Sequence, residues 1–463
     1  MPYKFKVFIL TLLSIPLLLT QATIAEVKTS EIEELKKQIL EIQKQNQQQI
    51  DMLLKKIESL ENKRASDENK MDKLIAKEEA EEQDGWWRKV RAGYKKGLFV
   101  ESVDGNYKMK MNLRGQFQFA VNDTDGEDTS IDMDIRRFRV KWKGNAFRPW
   151  FLYQIELSGD SGDLQLRDMY FDVAYNTSIV PRAGQFKVPF NRERLTSSSN
   201  LQFIERSIAS SEFSVGRDVG VAAYGILGNM VTYGVGVFNG DGRAGKSQNS
   251  NLLYAGRIQF SPCCGKLKYS GGSFPSGGSY KLVPNFTSPG KQPIIAIGAG
   301  VYSFPGLDIT RRTPDDKGIS NRFNELGIEQ ADVTGITADI ALKYSRFDAV
   351  ASYDGRWMGP DELESGNIDT IYDQGFRVQG GVFLLPDTLE LTARYAYIDY
   401  DDGSGIMGDV RDTSWQITPA INYYISHDHR WKVQVDYNFI RNSFTGRSDI
   451  DENIFRAQLQ AYF

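Results

Sequence analysis

Cysteine and histidine are almost absent from this chain. Of 463 residues two are Cys, adjacent at Cys263-Cys264, and two are His. An exported protein with so few cysteines has no disulfide framework. The adjacent pair reads as two reduced thiols in a loop, with a strained vicinal disulfide as the alternative. Two histidines exclude a His-rich metal site and any set of several His-based catalytic centres. Both lie in one short segment, Ile425-Ser-His-Asp-His-Arg430, where turn polarity accounts for them without a metal. Neither G-x-S-x-G nor H-E-x-x-H occurs, so no enzyme is expected and no cofactor is implied. Long apolar runs are also missing. Past Leu19 nothing approaches eighteen consecutive apolar residues, which excludes transmembrane helices from the rest of the chain. The mean hydropathy of -0.42 does not exclude a membrane barrel, whose strands alternate apolar and polar and average to a polar value. Proline is scarce at 15 residues, against 22 Tyr, 26 Phe and 42 Gly, a balance suited to aromatic strands and turns.

What is present begins at the N-terminus. Lys4 and Lys6 precede an apolar run from Val7 to Leu19, and small residues follow to Thr23-Ile24-Ala25. This is the pattern of a secretory signal peptide over residues 1–25, with a mature chain starting near Glu26. Residues 30 to 64 contain no Gly or Pro and are rich in Glu, Lys and Gln. Ile32, Leu35, Ile39 and Ile42 follow coiled-coil spacing, Asn46 takes the next core position, and Ile50, Leu53, Ile57 and Leu60 resume the pattern after an inserted step of four. The reading is a short α-helical coiled coil over 26–64. Residues 65–97 are expected to be a charged, flexible linker.

From residue 98 to the end the period changes to two. Met109, Met111, Leu113, Phe117 and Phe119 alternate with Lys108, Lys110, Asn112, Arg114, Gln116 and Gln118. Phe138, Val140 and Trp142 alternate with Arg137, Arg139, Lys141 and Lys143. Repeated amphipathic strands of about ten residues are the signature of a transmembrane β-barrel. Candidate strands fall near 107–120, 134–143, 149–158, 165–176, 181–189, 217–226, 230–239, 252–261, 293–303, 333–344, 346–356, 372–384, 389–400, 414–425, 430–441 and 453–463. With sixteen strands, the short connections 144–148, 177–180, 227–229, 385–388 and 426–429 fall on one side. The long segments 121–133, 190–216, 304–332, 357–371, 401–413 and 442–452 fall on the other, and 262–292 is the one long connection on the short-turn side. The chain ends in an amphipathic strand whose last residue is Phe463, as outer-membrane barrels do. The fold class expected is therefore all-β, a sixteen-stranded antiparallel transmembrane barrel, preceded by the helical stalk. Sixteen strands leave an aqueous channel where eight would be filled by side chains.

If apolar residues face lipid, the lumen inventory follows. Inward cations include Lys108, Lys110, Arg114, Arg137, Arg139, Lys141, Lys143, Lys187, Arg257, Arg377, Arg394, Lys432 and Arg456. Inward acids are fewer: Glu156, Asp168, Asp172, Asp339 and Asp436. The whole chain carries a net charge of -4, so basic charge is expected to be sorted into the lumen. A narrow tube lined by one sign of charge concentrates counter-ions, and Arg and Lys rings suit anions and phosphate. The alternative is that these charges only solvate the wall and pair across strands. The segment 191–217 is a long loop with Arg192, Arg194, Arg206 and Arg217, and with Ser197, Ser198 and Ser199 as hydroxyl donors. A loop this long in a compact unit is usually functional, here as a constriction folded into the lumen or else as an exposed outer loop.

Gly-Gln-Phe-Lys-Val-Pro-Phe190, Leu195-Thr-Ser-Ser-Ser and Phe203-Ile-Glu-Arg-Ser207 resemble the phosphate-selective porin O and P family, over roughly Tyr107 to Phe463. The resemblance implies an outer-membrane porin, a homotrimer in outer-membrane lipid, with an anion channel for passive uptake of phosphate or similar small anions. It implies that Lys187 belongs to a central anion site and that Arg114 and the Arg136-Arg137 pair belong to an arginine ladder. Arg139, Lys110, Arg192, Arg194, Ser197 and Ser198 complete the expected pore-lining set. Asn191 stands where a small hydroxyl is expected, which leaves a general or organic-anion porin as the alternative. The stalk is expected in the periplasm, where it supports assembly or tethers the outer membrane to the cell wall. No nucleic-acid partner is expected.

Overall fold

The computed structural model describes residues 29–83, 89–228, 230–243, 251–262, 293–311, 318–360, 369–401 and 409–463. The expected signal peptide and Cys263-Cys264 lie outside them. The chain divides into two units, Met1–Trp86 and Trp87–Phe463.

The first unit contains one helix, α1 (Thr29–Gln83), of 55 residues. At 1.5 Å per residue its length is about 80 Å. Here the structure differs from the expectation, because residues 65–83 continue the helix instead of forming a flexible linker. The cause is local. Residues 65–83 have no Gly or Pro and are dominated by Glu, Lys and Ala, good helix formers. An i,i+4 ion pair, Arg64 to Glu68 at 3.1 Å, spans the expected boundary. Ile39, Ile42, Ile50, Leu53, Ile57 and Leu60 are all at least half exposed on this helix.

The second unit opens with a hairpin that the alternation did not reveal, β1 (Val90–Tyr94) and β2 (Leu98–Ser102). Its turn uses Gly97 at φ 133°, where a Cβ would meet the Asn112 side chain at 2.2 Å. Strand β2 pairs with the first residues of β3, Leu98 opposite Met111. Strands of five residues are too short for a period-two pattern to stand out.

Sixteen longer strands follow: β3 (Lys108–Thr124), β4 (Ser130–Asn145), β5 (Phe151–Ser158), β6 (Gln165–Val173), β7 (Val180–Lys187), β8 (Arg217–Leu227), β9 (Val231–Phe238), β10 (Leu253–Phe260), β11 (Ile294–Asp308), β12 (Gln330–Tyr344), β13 (Phe347–Pro360), β14 (Ile371–Leu385), β15 (Leu389–Asp399), β16 (Arg411–Tyr424), β17 (Trp431–Phe444) and β18 (Ile450–Tyr462). Each pairs antiparallel with its sequence neighbour, and β18 pairs back onto β3 with Arg456 opposite Ala120. The result is a closed sixteen-stranded barrel. All sixteen expected strands are present. Several run further than expected at the long-loop end, β11 to Asp308, β13 to Pro360 and β17 to Phe444. There the apolar face ends, so the alternation fades while the hydrogen-bond ladder continues.

The faces are inverted relative to a water-soluble protein. Phe117, Val221, Ile258, Ile297, Val301, Val378, Ile417 and Leu459 point outward and are exposed. Arg114, Gln116, Arg137, Gln458 and Gln460 point inward and are buried. An apolar exterior with all strand edges paired satisfies both requirements of a bilayer, apolar contact and no orphaned backbone donors.

The lumen is not wholly polar. Phe186, Tyr224, Phe238, Tyr302, Phe304 and Met358 form one buried cluster inside the barrel. It is joined by Ile319 and Phe323 of helix α4 (Gly318–Leu326), from the segment 304–332 expected to stay outside. A period-two reading distinguishes inward from outward, but not an inward side chain that meets water from one that meets a returning loop.

Candidate functional site

The site is built on strand register. Side chains alternate along a strand, so Arg137, Arg139 and Lys141 of β4 share the inward face. Pairing sets Arg114 of β3 opposite Arg139 and Lys187 of β7 opposite Arg217 of β8. Like charges directly opposite each other are destabilising. Two such pairs in one wall, with β5 and β6 between them, mark the place where charge serves something other than stability. Gly184 lets β7 carry its motif. Its φ is 132°, and a Cβ there would lie 2.2 Å from the Met169 carbonyl oxygen.

After β7 the chain turns into the lumen. Phe190 stacks edge-on against Tyr302 with ring centres 4.8 Å apart. Asn191 caps the single-turn helix α2 (Arg192–Leu195) by accepting from the Arg194 amide. Helix α3 (Ile208–Phe213) is capped by Ser207, whose hydroxyl donates to Glu193 at 2.7 Å. In between, the loop is held from many sides. Arg192 pairs with Asp339 of β12 at 2.5 Å. Asn191 donates to Asp354 of β13 at 2.8 Å. Gln202 donates to Asp348 and Glu390 at 2.7 and 2.8 Å. Lys432 of β17 donates to the Leu201 carbonyl at 2.9 Å, and Gln460 of β18 to the Ser199 carbonyl at 3.1 Å. Arg137 reaches both oxygens of Glu205 at 2.8 and 2.6 Å, and Arg136 adds a contact at 2.7 Å. The loop therefore constricts the lumen. It is no exposed outer loop.

Between this loop and strands β4 to β8 lies a small polar cavity of about 40 Å³, open on one side. Seven cations line it, Arg139, Lys141, Arg167, Lys187, Arg194, Arg206 and Arg217, against two carboxylates, Glu156 and Asp168, so its walls carry a net charge of +5. Ser197 and Ser198 complete the lining. Among the described residues the buried Ser198 hydroxyl has no hydrogen-bond partner. Arg114 adjoins the cavity through a contact to the Ser197 hydroxyl at 3.4 Å and, among the described residues, forms no ion pair. Burial above all, with Arg194 and Arg137 nearby, pulls the Arg206 guanidinium below its ordinary range. Such a chamber, with donors from Arg and Ser and low polarisability around them, is suited to hold a small oxyanion.

The structure brings Arg139, Lys187, Arg194, Ser197, Ser198 and, at its edge, Arg114 together. It does not bring the other expected residues there. Arg192 is committed to Asp339, and Arg136 and Arg137 to Glu205. Lys110 donates to the Lys95 carbonyl of the N-terminal hairpin at 2.7 Å. Lys187 lines the chamber, yet its ammonium donates to the carbonyls of Arg194, Leu195 and Thr196 at 2.7, 3.2 and 3.2 Å. Of the two histidines, His427 sits in its turn at φ 54°, while His429 is buried beside Lys432 at 3.3 Å.

The expected scarcity of inward acids needs correction. Asp348, Asp354, Asp373 and Glu390 on the wall and Glu193, Glu205 and Glu212 on the loop are all inside. The wall acids were legible, since Asp348 and Asp354 share parity with Ser352 and Arg356, and Glu390 with Arg394. The loop acids carried no periodic signal. Arg182, Arg322 and Arg356, all fully buried, were likewise missed.

An apolar exterior wrapped around a charged interior is stable only in a bilayer, and the class this defines is the outer-membrane porin, a channel through a closed barrel. Residues 108–274 match the family model of phosphate-selective porin O and P, the family that the motifs around Lys187 resemble. The chain is 23% identical over 453 residues to an uncharacterized protein of Aquifex aeolicus (strain VF5), covering 89% of this chain and 95% of that one. Among solved structures it is similar to an anion-selective porin from Comamonas acidovorans, with a TM-score of 0.50 and 11% identity over 77% of this chain and 100% of that one. It is also similar to the outer membrane channel DcaP of Acinetobacter baumannii, with a TM-score of 0.49 and 14% identity over 81% and 100%. At these identities the first likeness is one of fold.

Proposed function

We propose that this porin is an anion-selective channel for passive uptake of phosphate or similar oxyanions, acting as a homotrimer in outer-membrane lipid. The observation that carries the reading is the chamber beside the constriction loop, with seven cations to two carboxylates and two like-charged pairs set opposite each other. Charge of one sign in a narrow passage concentrates anions and repels cations. The test is the reversal potential of the purified protein in a planar bilayer under a KCl gradient, followed by titration with phosphate. A potential near the chloride limit with block by phosphate supports the reading, and cation selectivity refutes it.

A second reading is a general or organic-anion porin. Asn191, where a hydroxyl is expected for phosphate, is used up in holding the loop through Asp354 and Ser210. Anion selectivity without phosphate block favours this version. In either case α1 is proposed as a periplasmic coiled-coil stalk behind a cleaved signal peptide, serving assembly or a tether to the cell wall.

A further inference from the structure

We propose that Lys187 is a positioning residue that clamps the constriction loop and is not itself a ligand for the passing anion. The proposal rests on the anion-channel reading and changes which groups do the work within it.

An ammonium group has three N–H donors and no more. In Lys187 all three have acceptors, the carbonyl oxygens of Arg194, Leu195 and Thr196, at 2.7 to 3.2 Å. From elsewhere in the loop Arg206 covers the same stretch, donating to the carbonyls of Glu193 at 3.2 Å and Thr196 at 2.9 Å. Four consecutive carbonyls, at 193 to 196, thus receive five donor contacts from two cations. These are the carbonyls that the single turn of α2 leaves without intrahelical partners. Uncovered, they would present their negative ends to the chamber, repel an entering anion and leave the loop without its grip on the wall. Lys187 is buried with its ammonium turned to these carbonyls, while its charge still counts toward the chamber's positive field. Among the groups that face an anion are Arg114, which has no ion pair among the described residues, and the unpartnered Ser198 hydroxyl, beside the other guanidiniums of the chamber.

The experiment uses the purified full-length protein in a planar bilayer, with KCl gradients and inorganic phosphate as probes. Lys187→Met is expected to make the open-channel current fluctuate and to lower the anion-to-cation permeability ratio, because the loop loses its clamp. The loop is then held artificially. Gln202 and Gln379 touch at 2.7 Å, so Gln202→Cys and Gln379→Cys, with both native cysteines replaced by Ser, accept a short bis-thiosulfonate cross-link. For a positioning residue, cross-linking the Lys187→Met protein restores a steady current and a permeability ratio within about twofold of the cross-linked protein that keeps Lys187. A ratio still about fivefold or more below it overturns the proposal. Lys187→Gln keeps amide donors for the carbonyls and removes the charge. It is expected to leave the half-blocking phosphate concentration within about twofold, and a tenfold rise at steady current overturns the proposal. Arg114→Gln provides the contrast, a steady current with a reduced ratio. Cation selectivity of the unaltered protein would instead refute the anion reading, while the current noise of Lys187→Met would still judge the clamp.

Discussion

Arg182 and Asp172 meet inside the barrel as a two-point ion pair, with Nε donating to Oδ1 at 2.6 Å and Nη2 to Oδ2 at 2.9 Å, and neither side chain is exposed. Cross-strand register places them opposite each other on β7 and β6, and the guanidinium lies 3.8 Å above the Tyr170 ring and 4.5 Å from that of Tyr224. Removing one partner leaves the other charge buried and alone, which costs about 3–5 kcal/mol, whereas replacing both by apolar residues is often neutral. Asp172→Asn and Arg182→Ala are therefore expected to lower the urea midpoint of the folded barrel sharply. The double change Asp172→Leu with Arg182→Met is expected to recover most of it. Equal loss in single and double variants would show that the pair does more than fill the wall.

The loop's grip through Glu205 has a definite pH range. Burial by itself would raise this carboxyl, but Arg137, Arg136 and Arg456 outweigh it and hold the group at about 2, below its ordinary 4.5. A carboxyl lowered in the folded state contributes stability that is present above its unfolded value and lost as pH falls through the folded one. The contribution is on the order of 3 kcal/mol. Single-channel current should stay steady as pH falls from 8 to about 4 and grow noisy near pH 2 to 3. Glu205→Gln should show that noise already at neutral pH, and a quiet Glu205→Gln channel would mean that the other anchors suffice.

Gly381 leaves the space into which the loop tip fits. A Cβ there would lie 2.8 Å from both Gln202 Nε2 and Glu390 Oε1, and 3.0 Å from Asp348 Oδ2. Overpacking of this kind typically costs about 1–3 kcal/mol. Gly381→Ala should displace Gln202 and speed protease cleavage of the loop in detergent without loss of the barrel's heat-resistant gel migration. Unchanged cleavage kinetics would place the loop's stability elsewhere.

The stalk offers a separate test. Asn46 interrupts a row of exposed Ile and Leu on α1, and a polar residue at a core position fixes register and oligomer number at a cost in stability. In a coiled coil, Asn46→Leu should raise the temperature at which oligomers dissociate and broaden their number, read by light scattering in detergent. No change in either would argue for a solvated single helix.

The chain by itself determined the barrel. Alternation in each strand decides which face meets lipid, and the order of short and long connections decides strand number and closure, because both are local properties of period and length. Strand parity also marked Lys187, Arg114 and Arg139 as inward-facing, and put Ser197 and Ser198 on one long loop. The tertiary structure alone decided what those charges do. Whether an inward Arg meets an anion or a carboxylate depends on where a 27-residue stretch such as 190–216 lands, and that path is set by anchors on strands more than a hundred residues away, as Arg192 with Asp339 and Gln202 with Glu390 show. The same holds for helix α4, whose Phe323 became core only because a loop returned into the lumen. Periodicity encodes the direction of a side chain, and only the closed fold supplies its partner.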